Sequence, residues 1–206
     1  SYWGTSMSSP SAAGSLILVR QHYETVVDTS IRAATLKGLA IHTVDEAGAN
    51  EGPDYKFGWG LLNTEKAVNL ISTIGDGHEI IEAELPYLDS LEFEFTSLGA
   101  DPFRATLCWS DPPGNPVSAS LDPSDIMLIH DLDLRVIDPN GQVHFPYILN
   151  KYNPTQAAST GDNVVDKEYC FRRSQIDWVH RVWRDHRTAK CAVCVPESDV
   201  CSSKGW

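Results

Sequence analysis

Residues 75–95 read GDGHEIIEAELPYLDSLEFEF, and the spacing of apolar residues changes within this stretch. Upstream of Gly75 the apolar residues recur at helical spacing, whereas in LEFEF at 91–95 they alternate with glutamates. A period of two predicts strands with one face in the core and one face in water. The sequence therefore predicts a helical part followed by an all-β part, with the boundary near residue 75.

Downstream, two further segments alternate in the same way, ATLCW at 105–109 and LDLRV at 132–136, and DPNG at 138–141 is typical of a turn. We expect residues 80–165 to form an antiparallel β-sandwich. The side chains predicted to face inward are Leu91, Phe93, Phe95, Leu107, Trp109, Leu132, Leu134 and Val136.

Upstream, apolar spacing predicts helices over 8–23 and 31–44 and a third after Asn63. The first is apolar nearly all round, which predicts a buried helix. The capping candidates for the second are Asp28, Thr29 and Ser30. Between the second and third helices, GPDYKFGWG at 52–60 is predicted to be a loop or short strand whose aromatic residues pack against the helices.

A small polar segment, GTSMSSP at 4–10, leads directly into the first helix. A helix N-terminus presents free N–H groups and the positive end of the helix dipole. A serine at this point can cap the helix, and it can also be a nucleophile whose oxyanion those donors stabilise. Spacing alone favours the capping interpretation for Ser6.

The literal string GTSMSSP, followed by AAG at 12–14, resembles the nucleophile motif of the subtilisin-like serine proteases, or subtilases. The segment FGWGLLN at 57–63 resembles the end of the subtilase catalytic domain. The resemblance implies that Ser6 is the catalytic nucleophile and that Gly4 and Thr5 lie against the substrate. It also implies an α/β fold with a mainly parallel sheet.

The β part continues the resemblance. The segments ATLCWSDPPG at 105–114, HDLDLRV at 130–136 and TGDNV at 160–164 are similar to the C-terminal jelly-roll of the KP-43-like subtilases. The implied fold class is an α/β fragment, the C-terminal helices of a catalytic domain at residues 1–74, followed by an all-β jelly-roll at 75–168. The implied function is secreted serine endopeptidase activity on protein or peptide substrates, with no cofactor required for the chemistry.

The sequence departs from the subtilase pattern in its catalytic triad. The family orders the triad Asp, His, Ser, yet no Asp, His or oxyanion-hole Asn precedes Ser6. His22 lies 16 residues further along the same predicted helix, about 24 Å away at 1.5 Å per residue. We therefore expect this fragment to be inactive alone. The alternative function is a non-catalytic β-sandwich module that binds or stabilises a partner.

Composition limits the classes of partner. The formal net charge is −12, so a nucleic-acid partner is not expected, because phosphate binding needs a basic surface. No apolar run approaches the length of a membrane span, so no membrane partner is expected either. Residues 1–168 carry 24 acidic and 9 basic side chains, whereas residues 169–206 carry 4 and 7.

Three carboxylates are candidates for a structural calcium site: Asp131, Asp133 and Asp162. The first two share one face of a predicted strand, and the third lies in a later polar loop. Carboxylate oxygens are the ligands that Ca²⁺ prefers. The alternative is a solvated strand face on which Asp133 pairs with Arg135.

Residues 169–206 form an atypical tail that is basic and rich in cysteine and tryptophan. Its cysteines, with one CxxC, allow three interpretations: a zinc site, disulfides, or a poorly ordered or wrong-frame segment. We favour the last, and expect no alternating segment that could close the sandwich and no tetrahedral metal site. The four cysteines are Cys170, Cys191, Cys194 and Cys201.

Overall fold

The computed structural model describes residues 4–76, 78–85, 90–95, 102–121, 125 and 128–161, and the backbone of three later strands. The helices are α1 (Thr5–Val27), α2 (Ala33–His42) and α3 (Thr64–Ser72). The strands are β1 (Glu79–Leu85), β2 (Ser90–Phe95), β3 (Pro102–Trp109), β4 (Leu132–Ile137), β5 (Val143–His144), β6 (Tyr147–Ile148), β7 (Ser159–Thr160), β8 (Glu168–Ser174), β9 (Trp178–Arg184) and β10 (Ala189–Val195). No helix in the described ranges is both long and apolar enough to cross a membrane.

The helix ends follow local chemistry, though not always the predicted residues. Asn63 caps α3, because its side chain accepts a hydrogen bond from the Lys66 N–H at 2.9 Å. The prediction that Asp28, Thr29 or Ser30 caps α2 is wrong. Asp28 instead ends α1 in a left-handed conformation (φ 57°), and α2 begins after Arg32 without a side-chain cap.

The strands form two four-stranded sheets and a two-stranded ribbon of β6 and β7, with all pairs antiparallel. The orders are β1-β10-β3-β8 and β2-β9-β4-β5. The predicted combination of helices with antiparallel strands is therefore confirmed.

One hydrophobic cluster draws on both four-stranded sheets. Its buried members are Leu85, Phe95, Phe103, Ala105, Leu107, Trp109, Leu132, Leu134 and Val136. Leu91 and Phe93 pack against it while partly exposed. The eight side chains predicted to face inward therefore all contact this core.

The opposite face of β3 is not in water, contrary to the prediction from its alternation. Thr106 and Cys108 are completely buried, because α2 packs over this face of the sheet. Ile41 of α2 contacts Cys108, and the partly buried Trp59 packs beside them. The helical part and the β part therefore share a packed interface centred on α2 and β3.

The tail contributes β9, β10 and all of β8 except Glu168, although the sequence predicts no alternating segment there. β10 lies between β1 and β3, and β9 lies between β2 and β4. Backbone N–H and C=O groups make these pairings, so they do not require alternating side chains. The tail's side chains, including those of Cys170, Cys191, Cys194 and Cys201, lie outside the described residues, so their burial and metal geometry stay predictions.

Two leucine substitutions test this core. Leu134→Ala removes a side chain that is fully buried on β4, and we expect the free energy of unfolding to fall by about 3 kcal/mol. The matched control is Leu121→Ala, because Leu121 is 93% exposed and its loss is expected to cost less than about 0.5 kcal/mol. Denaturant unfolding of both variants measures the difference. Equal losses would contradict the proposed inward face of β4.

Candidate active site

Ser6 lies in the first turn of α1, at the second residue of the helix. This position matches the prediction that Ser6 is at a helix N-terminus, and the helix extends further than predicted, to Val27. The side chain is exposed. The N-cap residue is Gly4, so the interpretation of Ser6 as the helix cap is wrong.

Two of the neighbouring serines bond back into the helix. The Ser8 hydroxyl donates to the carbonyl of Gly4 at 3.3 Å, and the Ser11 hydroxyl donates to that of Met7 at 2.9 Å. Within the described part of the chain, the Ser6 hydroxyl has no hydrogen-bond partner. The Ser6 hydroxyl is therefore available for chemistry, whereas that of Ser8 is engaged.

The backbone around Ser6 offers donors for a negative charge. The first carbonyl of the helix is that of Gly4, which accepts from the N–H groups of Met7 (3.0 Å) and Ser8 (3.2 Å). The N–H groups of Thr5 and Ser6 precede these and have no acceptor within the helix. Gly4 has φ 151°, a conformation that residues with an L side chain rarely adopt. A side chain at this position would therefore strain the backbone that leads into α1.

Polar partners away from Ser6 are found beside His22, His42, His130 and His144. His22 Nε2 lies 2.8 Å from the hydroxyl of Ser72, and its place on α1 agrees with the expectation that it is remote from Ser6. His130 lies beside the carboxylate of Asp111, and His144 lies beside that of Asp138. In the described ranges, therefore, no histidine forms a hydrogen bond with Ser6.

His42 is buried at the interface between α2 and β3. Its Nδ1 lies 3.0 Å from the Thr106 hydroxyl, and its backbone carbonyl accepts from the Arg104 guanidinium. Burial, reinforced by the positive charges of Arg104 and His78, lowers the pKa of His42 to about 3. The ring is therefore neutral at pH 7 and joins the helical part to the β part.

The predicted calcium ligands are only partly described. Asp131 directly precedes β4, and Asp133 lies within β4, 3.5 Å from the Arg135 guanidinium. Asp162 lies outside the described residues. Only two of the three predicted ligands are therefore described, and the calcium site stays a prediction.

The sequence reasoning did not single out Asp111 and His130. The Asp111 carboxylate is fully buried and accepts from the N–H groups of Ile129 (2.7 Å) and His130 (2.9 Å), while His130 Nδ1 lies 2.8 Å away. The Trp109 indole N–H donates to the carbonyl of His130 at 3.1 Å. The signal available in the sequence was the polar segment SDPPG directly after β3. The chain leaves one sheet at this segment, because β3 and β4 belong to different sheets.

The aromatic residues of the 52–60 loop divide into two kinds. Tyr55 and Phe57 are exposed, whereas Trp59 is partly buried against Ile41 and Cys108. A small pocket beside Trp59 is lined by Ile41, Val44, Glu46, Glu51, Gly52 and Arg104. The expected packing role thus holds for Trp59 and not for the exposed pair.

Residues 1–60 match the model of the Subtilase family. No curated protein matches the chain. Among solved structures, the Yersinia pseudotuberculosis-derived mitogen matches at 9% identity and TM-score 0.35, covering 62% of this chain and 91% of its own.

The SPBc2 prophage-derived protein YomS matches at 10% identity and TM-score 0.26, covering 57% of this chain and 95% of its own. At these scores neither structure bears on the fold or the function. The family match covers the segment in which Gly4, Thr5 and Ser6 form the exposed start of α1. This agreement between motif, helix position and family model supports a relationship of this chain to the subtilase family.

Proposed function

We propose that this chain is the C-terminal portion of a secreted subtilisin-like serine endopeptidase that acts on protein or peptide substrates. In this proposal Ser6 attacks the scissile carbonyl, its own N–H is one oxyanion donor, and Gly4 and Thr5 lie against the substrate. The carrying observation is the exposed Ser6 hydroxyl in the first turn of a helix within the segment that matches the Subtilase family.

The exposed surface of α1 supports the proposal that further catalytic-domain structure covers this helix. Four large apolar side chains of α1 are at least 47% exposed, although an apolar helix was predicted to be buried. The packing of α1 on α2 and α3 buries only Val19 and Tyr23 of this helix. The four exposed side chains are Met7, Ile17, Leu18 and Val26.

The β part is proposed to be a jelly-roll that stabilises the catalytic part. Support comes from the interface of α2 with β3, where His42, Thr106 and Cys108 are buried. This is the same observation that favours the alternative function, a stabilising module without catalysis of its own. The calcium site at Asp131, Asp133 and Asp162 belongs to this proposal as a structural site.

A fluorophosphonate probe distinguishes the two functions, because it reacts only with an activated serine. We expect no labelling of this chain alone, since activation needs a base and none of the described histidines forms a hydrogen bond with Ser6. In the longer gene product that supplies a triad Asp and His, we expect labelling, and peptide mapping should place the adduct on Ser6.

Two results would contradict the endopeptidase proposal or its details. Labelling of Ser6 in this chain alone would mean that a base is available within the 206 residues. Absence of labelling in the longer, correctly folded product would favour the non-catalytic module. Circular dichroism of each unlabelled sample shows whether it is folded.

A further inference from the structure

The segment between β3 and β4 begins with an irregular, exposed stretch. Residues 112–121 read PPGNPVSASL and belong to no helix or strand. Every residue from 115 to 121 is exposed, including two apolar side chains, Val117 and Leu121. Within the described ranges, none of the residues 112–121 makes a backbone hydrogen bond.

Hydrogen bonds join the two ends of this segment. The Asp111 carboxylate at one end accepts hydrogen bonds from the N–H groups of Ile129 and His130 at the other. The indole of Trp109 also donates to the carbonyl of His130. The strands on either side are therefore held in place independently of the chain between them.

Exposed, irregular backbone is what an endopeptidase requires, because its active site binds a substrate segment in extended form. Prolines limit where cleavage can occur, since proline lacks an N–H and fixes φ. Residues 117–121, VSASL, are the part of this stretch between Pro116 and Pro123 that the structure describes. Two bonds there follow small apolar residues, Val117–Ser118 and Ala119–Ser120.

The sheet topology predicts what happens after cleavage. The strands before the cut, β1, β2 and β3, do not pair with one another. β1 pairs with β10, β2 with β9, and β3 with β10 and β8, so each pairs only with strands after the cut. The core cluster likewise draws on both sides of the cut.

We propose that residues 117–121 are a site of limited proteolytic cleavage that converts the chain into a two-chain form. Water adds across the peptide bond after Val117 or Ala119, which leaves a new carboxylate on one chain and a new amino group on Ser118 or Ser120. The two chains stay together because their strands are interleaved in both sheets. This proposal does not depend on the proposed peptidase function.

Elastase provides the test, because its small specificity pocket accepts valine and alanine. In brief digestion of the native chain, we expect fragments that begin at Ser118 or Ser120 to appear before any other cut within residues 4–161. The two fragments are expected to co-elute in size-exclusion chromatography and to separate in concentrated guanidinium.

Paired variants sharpen the test. Ser118→Pro with Ser120→Pro blocks both bonds, and we expect cleavage there to slow by at least an order of magnitude. Ser118→Ala with Ser120→Ala removes the same hydroxyls and should be cut like the natural sequence. Thermal unfolding of both double variants should match that of the parent, because these side chains are exposed.

Three results would overturn the proposal. The first is an earlier elastase cut elsewhere within residues 4–161. The second is unchanged cleavage of the double proline variant. The third is separation of the two fragments without denaturant, which would mean that the interleaved strands do not hold the cleaved chain together.

Discussion

Ser6→Ala is expected to reduce peptide hydrolysis by the catalytically complete protein by at least about 10⁴-fold, the loss typical of removing a triad nucleophile. The physical reason is that the reaction needs the Ser6 hydroxyl itself, which lies exposed in the first turn of α1 beside the free N–H groups of the helix end. Ser8 and Ser11 donate to backbone carbonyls and cannot substitute without breaking those bonds. Steady-state hydrolysis of an unstructured protein substrate measures the loss.

The matched control is Ser8→Ala, two residues away in the same helix turn. It removes a hydroxyl that bonds only to the exposed end of the helix, so we expect activity within a few-fold of the parent. If Ser8→Ala were as inactive as Ser6→Ala, the loss would reflect the structure of the helix end rather than the nucleophile. Residual activity near the parent level in Ser6→Ala would refute the assignment.

Acid is expected to weaken the fold through His42. The pKa of this histidine is lowered from 6.5 to about 3 in the folded state, so the unfolded chain binds a proton that the folded chain excludes. The contribution of His42 to the free energy of unfolding is therefore fully present above pH 6.5, and it is lost progressively as the pH decreases toward 3. Uptake of one proton on unfolding lowers the free energy of unfolding by about 1.4 kcal/mol per pH unit. Between pH 6.5 and 3.8 this loss is on the order of 4 kcal/mol.

The pH window isolates this histidine from two carboxylates. Asp45 and Asp138 also have pKa values below their ordinary 3.8, held down first by the side chain of Lys66 and the backbone of Gln142 respectively. Their stabilisation is present above pH 3.8 and is lost as the pH falls further, below the window of pH 6.5 to 3.8 in which the effect of His42 is measured.

Two histidine variants complete the test. His42→Gln has no titrating ring, so denaturant unfolding should show a flatter dependence on pH between 6.5 and 3.8, whatever its absolute stability. His22→Gln changes a half-buried histidine that lies beside Ser72 of α3, and it serves as the reference for a histidine replaced outside the interface of α2 and β3. An unchanged slope in His42→Gln would mean that the acid sensitivity arises elsewhere.

The sequence was most informative where local chemistry decides the structure. The polar segment before α1 predicted the position of Ser6, and α3 begins directly after Asn63, as predicted. Alternation predicted which side chains of β2, β3 and β4 face the core. In each case the residues that carry the signal lie within a single helix or strand or at its end.

The sequence was least informative where distant segments meet. Nothing in ATLCW indicates that α2 covers the second face of β3 and buries Thr106 and Cys108. The apolar composition of α1 predicted burial, but a helix is buried only if a partner packs on each apolar side. The tail strands lack alternation, and their positions between earlier strands depend on backbone pairing that composition does not reveal.

The interleaved order of the sheets also determines when the chain can fold. β1 and β10 pair across more than 100 residues of sequence, and no two of the first three strands form a hairpin. Such a high contact order predicts slow folding, because the entropy of closing long loops is lost before the pairing is gained. On the ribosome, β1, β2 and β3 emerge well before their partners. During that interval their edges and apolar faces are open to chaperones and to aggregation, so synthesis rate and chaperone supply should control the yield of this protein.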